Sequence, residues 1–202
     1  MNAPDVASLT FDEHGLIVAV AQEGATGTVL MVAYMDREAL ARTVESGEAH
    51  FWSRSRQTLW HKGETSGNVL HVEGIQADCD ADALLLSVHA SGPACHTGQR
   101  ACFAEPVTIL DQLDTTLRDR EVQRPPGSYS ARLFDGGRAA ILRKVGEESV
   151  EVLLAGAGEG DEALTNEVAD LWFHTAVLLR ERGLSPDAVL HVLAQRHHRP
   201  AH

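Results

Sequence analysis

Apolar positions along this chain follow two rhythms. In residues 1–105 they form short runs bounded by Gly, Asp or Pro, at 16–20 (LIVAV), 29–34 (VLMVAY) and 84–88 (LLLSV), and such runs predict strands. The segment MDREAL from Met35 opens a helix, with Asp36 as its N-cap and Gly47 suited to its end. Further on the spacing becomes helical. Ile109, Leu110, Leu113 and Leu117 recur in this way, then Ile141, Val145, Val152 and Leu153, and later Leu171, Phe173, Val177 and Leu178. The change lies near AEPV at 104–107, where Pro106 biases its predecessor away from helix. The expectation is two domains, an α+β domain over 1–105 and an all-α domain over 106–202. RPPGSYS at 124–130 reads as an irregular loop, and the chain has neither an internal repeat nor a low-complexity tract.

Composition narrows the function classes. With 202 residues, 44% hydrophobic and 23% charged, the chain is ordinary for a globular protein of one or two domains. No apolar stretch approaches the roughly 20 residues needed to span a bilayer. The N-terminal segment lacks the basic region and apolar run of a secretory signal. Three cysteines are too few and too odd for a disulfide framework, which points to the cytoplasm. A formal charge of −12 disfavours a nucleic-acid surface. It leaves room for a small phosphorylated ligand held through divalent cations.

Three segments of the first half carry chemistry. In DCDAD at 78–82, an extended chain would put Asp78, Asp80 and Asp82 on one side. Three gathered carboxylates suit a hard cation such as Mg²⁺, and a solvated acidic turn is the plainer reading. An EF-hand fits poorly, since Ala83 and His89 stand where Gly and Glu are needed. Cys79, Cys95 and Cys102 fall within one short stretch beside His96. Each alone is more often a small buried hydrophobe. Together they resemble a soft-metal set of three, leaving one tetrahedral position open. Residues 51–67 concentrate Arg54, Arg56, Lys62, Ser55, Thr65 and Ser66 around Gly63 and Gly67 in an acidic domain. That suits phosphate, with Trp52 or Trp60 stacking on a base; a basic surface loop with core tryptophans is the alternative.

WSRSR, WHKGETSG, DCDADALL and CHTGQRACF, in that order and with MVAYMDREAL upstream, resemble the phosphoribosyl-AMP cyclohydrolases across residues 15–103. The resemblance implies Zn²⁺ on Cys79, Cys95 and Cys102, and Mg²⁺ on Asp78, Asp80 and Asp82. It implies a homodimer whose zinc sites draw cysteines from both subunits. It also implies that Trp52, Arg54, Ser55, Arg56, Trp60, Lys62, Gly63, Thr65 and Ser66 bind substrate. Ala101 departs from the family's usual Ser before the last cysteine. The implied reaction is attack of zinc-activated water at C6 of the adenine and opening of the ring at N1. The leaving nitrogen needs a proton donor, for which His61 and His96 are candidates, each equally readable as a structural histidine.

In the second half, Glu148 and Glu151 lie three apart, as do Glu167 and Asp170, so each pair shares a helical face. His174 and Leu178 continue the second face, which turns it inward. Packed side by side, the two helices would bring four carboxylates to Mg²⁺; a solvated face is the competing reading. ILDQLDTTLRDR, RPPGSYSARL and KVGEESVE followed by NEVADLWFH resemble the phosphoribosyl-ATP pyrophosphatases over about residues 108–197, an all-α, MazG-like group. The resemblance implies Mg²⁺ on Glu148, Glu151, Glu167 and Asp170, with Lys144 on a phosphate. Glu147 or Glu148 is a candidate base for the attacking water. Joined, the two halves imply an ATP-like ligand cleaved to pyrophosphate and phosphoribosyl-AMP, whose ring is then opened, in histidine biosynthesis. A rival reading is a general nucleotide pyrophosphatase fused to a zinc-binding regulatory domain. Another is a structural zinc module joined to a helical oligomerisation unit.

Overall fold

The computed structural model describes residues 3–103, 108–158 and 160–197, and these divide into two compact units. The expected boundary at Pro106 lies outside the described residues. The first unit is a six-stranded sheet with one α-helix. Its strands are β1 (Ile17–Glu23), β2 (Val29–Met35), β3 (His50–Ser53), β4 (Thr58–His61), β5 (Leu70–Ala77) and β6 (Ala83–Ala90), with helix α1 (Arg37–Ser46) between β2 and β3. The sheet order is β4-β3-β2-β1-β6-β5. β1 pairs antiparallel with β2, Val20 opposite Val32, and parallel with β6, Val20 beside Leu85.

One face of this sheet makes the core. Ile17, Ala19 and Ala21 alternate inward along β1 and meet Leu30 and Met35 from β2 and Leu84, Leu86 and Val88 from β6. Phe51 is completely buried, which contributes roughly 1.5–3 kcal/mol. The Asp36 carboxylate accepts the Ala39 amide at 2.7 Å, and Gly47 closes α1 at φ 73°, as the caps predicted. Met35 itself ends β2 rather than opening the helix. Three strands, β3, β4 and β5, were not expected. β3 and β4 form a hairpin inside the basic segment, with a turn at 54–57.

The second unit is all-helical: α2 (Ile109–Gln123), α3 (Tyr129–Asp135), α4 (Gly137–Gly158), α5 (Asp161–Glu181) and α6 (Pro186–His197). Thr108 and Asp111 form a reciprocal capping box at the start of α2. Leu117, Leu133, Phe134, Ile141, Ala176 and Val177 make the core, with Leu113, Phe173 and Leu178 packed against it. RPPGSYS is only partly a loop, because Ser128 caps α3 and Tyr129 and Ser130 already belong to that helix. The helical spacing predicted α2, α4 and α5 correctly, but Ile109 and Leu153 are 76% and 72% exposed rather than inward. No helix among the described residues is long and apolar enough to cross a membrane.

Candidate functional site

The first unit has a cleft of about 460 Å³ built on the end of β4 and on the loop after β6. From the first wall come Trp60, His61, Lys62, Gly63, Thr65 and Ser66; from the second, Cys95, His96 and Cys102. Gly63 is required where it stands. Its φ is +91°, and a Cβ would lie 2.5 Å from the backbone of Asn68 and Val69. The resulting turn is closed by the Gly67 amide, which donates to the Gly63 carbonyl at 2.8 Å.

Opposite this turn, the Cys95 and Cys102 thiols line the same cleft, and each influences the ionisation of the other. The Thr97 hydroxyl, 3.1 Å from Cys95 Sγ, and then the Thr97 amide pull the Cys95 thiol down. Burial, followed by the Cys95 charge, pushes Cys102 up. Lys62 is buried between these features. Desolvation lowers it, against the two thiolates, which raise it. The cleft therefore presents one readily ionised thiol, a second whose ionisation the first opposes, and an ammonium beside both. Such a pair suits a soft cation that neutralises both sulfurs. Cys79 does not line this cleft, and among the described residues the three cysteines form no compact ligand group.

His61 Nε2 lies 2.7 Å from Glu48 Oε2, close enough for an ion pair, although its N–H is not aligned for a hydrogen bond. His61 also stacks on His50 at 4.5 Å. Trp52, Arg54, Ser55 and Arg56 stand away from the cleft wall, on the β3–β4 hairpin. The Arg54 guanidinium covers the Tyr34 ring at 3.9 Å.

DCDAD is not extended. It is the turn between β5 and β6, with Ala81 at φ 61°. The turn, rather than strand alternation, gathers Asp78, Asp80 and Asp82, whose carboxylate oxygens come within 4.8 Å of one another. Asp78 accepts the amides of Asp82 and Ala83 at 3.0 Å each, and the Ala83 bond is the main reason its carboxyl is held low. The negative charges of Asp80 and then Asp78 push Asp82 up.

In the second unit α4 and α5 bring Glu148, Glu151 and Glu167 within 4.8 Å. Asp170 is exposed and outside that compact group. Glu148 is 4% exposed, and the Lys144 ammonium donates to it at 2.7 Å and to Glu147 at 3.0 Å. These bonds hold both carboxyls low and raise Lys144. Glu151 moves the other way, raised first by its hydrogen bond with Glu148 and then by that group's charge. The site thus already draws one cation to its edge. Sequence reasoning missed Thr97, Glu48 and Tyr129. The Tyr129 hydroxyl on α3 and His174 Nε2 on α5 are hydrogen-bonded at 2.7 Å. A Thr two residues past a cysteine and a Tyr after a helix cap were the available signals.

Comparison with known proteins follows the same division. Residues 31–104 match the family model for phosphoribosyl-AMP cyclohydrolase, and residues 110–197 match that for phosphoribosyl-ATP pyrophosphohydrolase. The histidine biosynthesis bifunctional protein HisIE of Bacillus subtilis strain 168 is 48% identical over 94% of this chain and 95% of its own length. Its Nostoc sp. counterpart is 45% identical over 96% and 94%. The Xanthomonas axonopodis pv. citri protein is 48% identical over 91% and 90%. With both families matched in order and near full-length identity to such relatives, the chain belongs to the bifunctional HisIE family, enzymes that pair phosphoribosyl-AMP cyclohydrolase with phosphoribosyl-ATP pyrophosphohydrolase in histidine biosynthesis.

Proposed function

We propose that the two hydrolytic steps are divided between the units by their donor sets: soft sulfur with zinc in the first unit, and carboxylates with magnesium in the second. The helical unit acts first, on phosphoribosyl-ATP. Glu148, Glu151 and Glu167, with Asp170 from the next turn of α5, hold magnesium, which neutralises the phosphate oxygens during attack. Lys144 steers a phosphate toward these acids, and Glu147 or Glu148 accepts the proton of the attacking water. The fold of this unit is of the MazG-like kind. The product, phosphoribosyl-AMP, is the substrate of the sheet unit.

There Cys95 and Cys102 bind zinc from the cleft, and Cys79 of a second subunit completes the set in a homodimer. Zinc held there supplies a water-derived nucleophile at neutral pH. Lys62 and the turn from Gly63 to Ser66 bind the substrate phosphates, and Trp60 packs on the base. Trp52, Arg54, Ser55 and Arg56 complete the substrate surface from the hairpin. His61 or His96 delivers the proton to departing N1. The trio Asp78, Asp80 and Asp82 takes magnesium. We place the enzyme in the cytoplasm and its domain boundary between residues 105 and 106.

The observation that carries this reading is the cleft itself. Two interacting thiols and a buried lysine face a glycine-dependent turn, while the remaining cysteine stands outside. Subunit complementation tests it. Cys79→Ser and Cys95→Ser chains are each expected to lack ring-opening activity. Mixing them through unfolding and refolding restores about a quarter of wild-type activity, since random pairing leaves one intact site in each mixed dimer. No recovery on mixing would place all three cysteines in one chain.

A further inference from the structure

Tyr129 and His174 lie 45 residues apart, yet their polar atoms meet at 2.7 Å beside the acidic site. Chemistry fixes the direction of these bonds. A carbonyl only accepts, so the 2.8 Å contact from His174 Nδ1 to the Asp170 carbonyl puts the ring proton on Nδ1. In the neutral ring Nε2 is then the acceptor and the Tyr129 hydroxyl the donor. Both nitrogens are satisfied in a residue only 4% exposed. The ring is further held edge-on by Tyr129 at 5.7 Å and by Phe173 at 5.2 Å.

The edge that carries the Nδ1 proton lies 3.6 Å from Glu148 Oε1. That is too long for a hydrogen bond, but it turns the positive side of the ring toward a buried carboxylate. Lys144 holds the same oxygen at 2.7 Å. Glu148 therefore has a flexible ammonium on one contact and a fixed ring on the other.

We propose that Tyr129 and His174 are positioning residues for Glu148. The hydrogen bond from α3 locks the imidazole, and the locked ring backs the carboxylate so that it faces Glu151 and Glu167. This also ties the RPPGSYS segment to the acidic site, so that one bond sets both. The inference rests on the reading that these acids hold a divalent cation. A bond that merely staples α3 to α5 would lower stability alone. A positioning bond changes cation affinity and the rate at saturating nucleotide as well.

The test uses the full-length protein with Mn²⁺ as the probe, and first identifies by electron paramagnetic resonance the bound Mn²⁺ that Glu148→Gln removes. Tyr129→Phe is expected to weaken that site, and to slow pyrophosphate release at saturating nucleotide, each by about tenfold. KM should stay within about threefold, because the nucleotide's own contacts remain. His174→Phe should match Tyr129→Phe, and the double variant should fall no further. His174→Gln, which keeps an acceptor near the Nε2 position, should recover most of the loss. Ring opening of supplied phosphoribosyl-AMP normalises for the amount of active protein, and far-ultraviolet circular dichroism checks that the helical unit is folded. The proposal is overturned if both phenylalanine variants keep wild-type Mn²⁺ affinity and turnover while only the melting temperature moves. If Glu148→Gln removes no bound Mn²⁺, the cation reading fails instead, and the positioning role with it.

Discussion

Replacing Gly63 with alanine tests whether the turn beside the thiols sets the ring-opening site. At φ +91° an L side chain carries a conformational cost of about 1–2 kcal/mol before any contact is counted. The new Cβ would also lie 2.5 Å from three backbone atoms of Asn68 and Val69. Ordinary carbon contacts begin near 3.5 Å, so this stretch must retreat by about an ångström. Asn68, Thr65 and Ser66 line the cleft, and a misplacement of that size costs on the order of 100-fold in rate. Gly67 supplies the control in the same loop. Its φ is +76°, but a Cβ there meets nothing within 4 Å. Gly67→Ala therefore carries only the conformational cost, which lowers the first unit's thermal midpoint by roughly 4–16 °C. The assay is ring opening of supplied phosphoribosyl-AMP below the melting range, with pyrophosphate release as the reference. Gly63→Ala should lose ring opening selectively and Gly67→Ala should keep most of it. Equal activity in the two variants would refute the argument that this turn positions the site.

Cys95→Ser should abolish ring opening and leave pyrophosphate release intact, so phosphoribosyl-AMP should accumulate in product analysis; consumption at the wild-type rate would remove zinc from the mechanism. Glu148→Ala should suppress pyrophosphate release by roughly two orders of magnitude and spare ring opening. Near-normal release would make Glu148 a structural partner of Lys144 rather than a metal ligand. Glu147 and Glu148 are held below their ordinary value of 4.5, chiefly by hydrogen bonds from Lys144. A depressed carboxylate contributes stability above its unfolded pKa, and loses it as pH falls through the lower folded value. Lys144→Met should therefore move the acid unfolding midpoint of the helical unit upward, as followed by circular dichroism; an unchanged midpoint would contradict the pairing. Fragments 1–105 and 106–202 should each keep their own reaction, and activity that returns only on mixing would refute the division.

Sequence legibility followed how locally each feature is made. The cap at Asp36 and the stop at Gly47 are written within one turn of helix, and both were readable. β5 was not, because a bulge between Val72 and Gly74 breaks the alternation by which a strand declares itself. β3 and β4 are only four residues each, show no alternation of buried and exposed positions, and are strands by pairing, with only Phe51 fully inward. The acids at 78–82 were rightly suspected of meeting, for the wrong geometric reason, since a turn and not pleat alternation joins them. Glu148, Glu151 and Glu167 were readable from helical spacing, whereas the half-buried Tyr129–His174 bond depends on how α3 meets α5. Nothing in the spacing of Cys79, Cys95 and Cys102 revealed that only the last two would share a cleft. That follows from the loop after β6 folding back to β2, where the Cys102 amide donates to the Leu30 carbonyl at 2.7 Å.

Under the proposed division of labour, one chain takes phosphoribosyl-ATP through both hydrolyses, each in its own unit. The most direct measurement follows a single sample of the metal-loaded protein supplied with phosphoribosyl-ATP, quantifying pyrophosphate, phosphoribosyl-AMP and the ring-opened product over time. Pyrophosphate and ring-opened product should finish in equal amounts, with phosphoribosyl-AMP rising and then falling between them, and free ATP should be left largely intact. Rapid hydrolysis of ATP, together with phosphoribosyl-AMP that accumulates and is never opened, would contradict it. That result would leave a general nucleotide pyrophosphatase joined to a zinc-binding module.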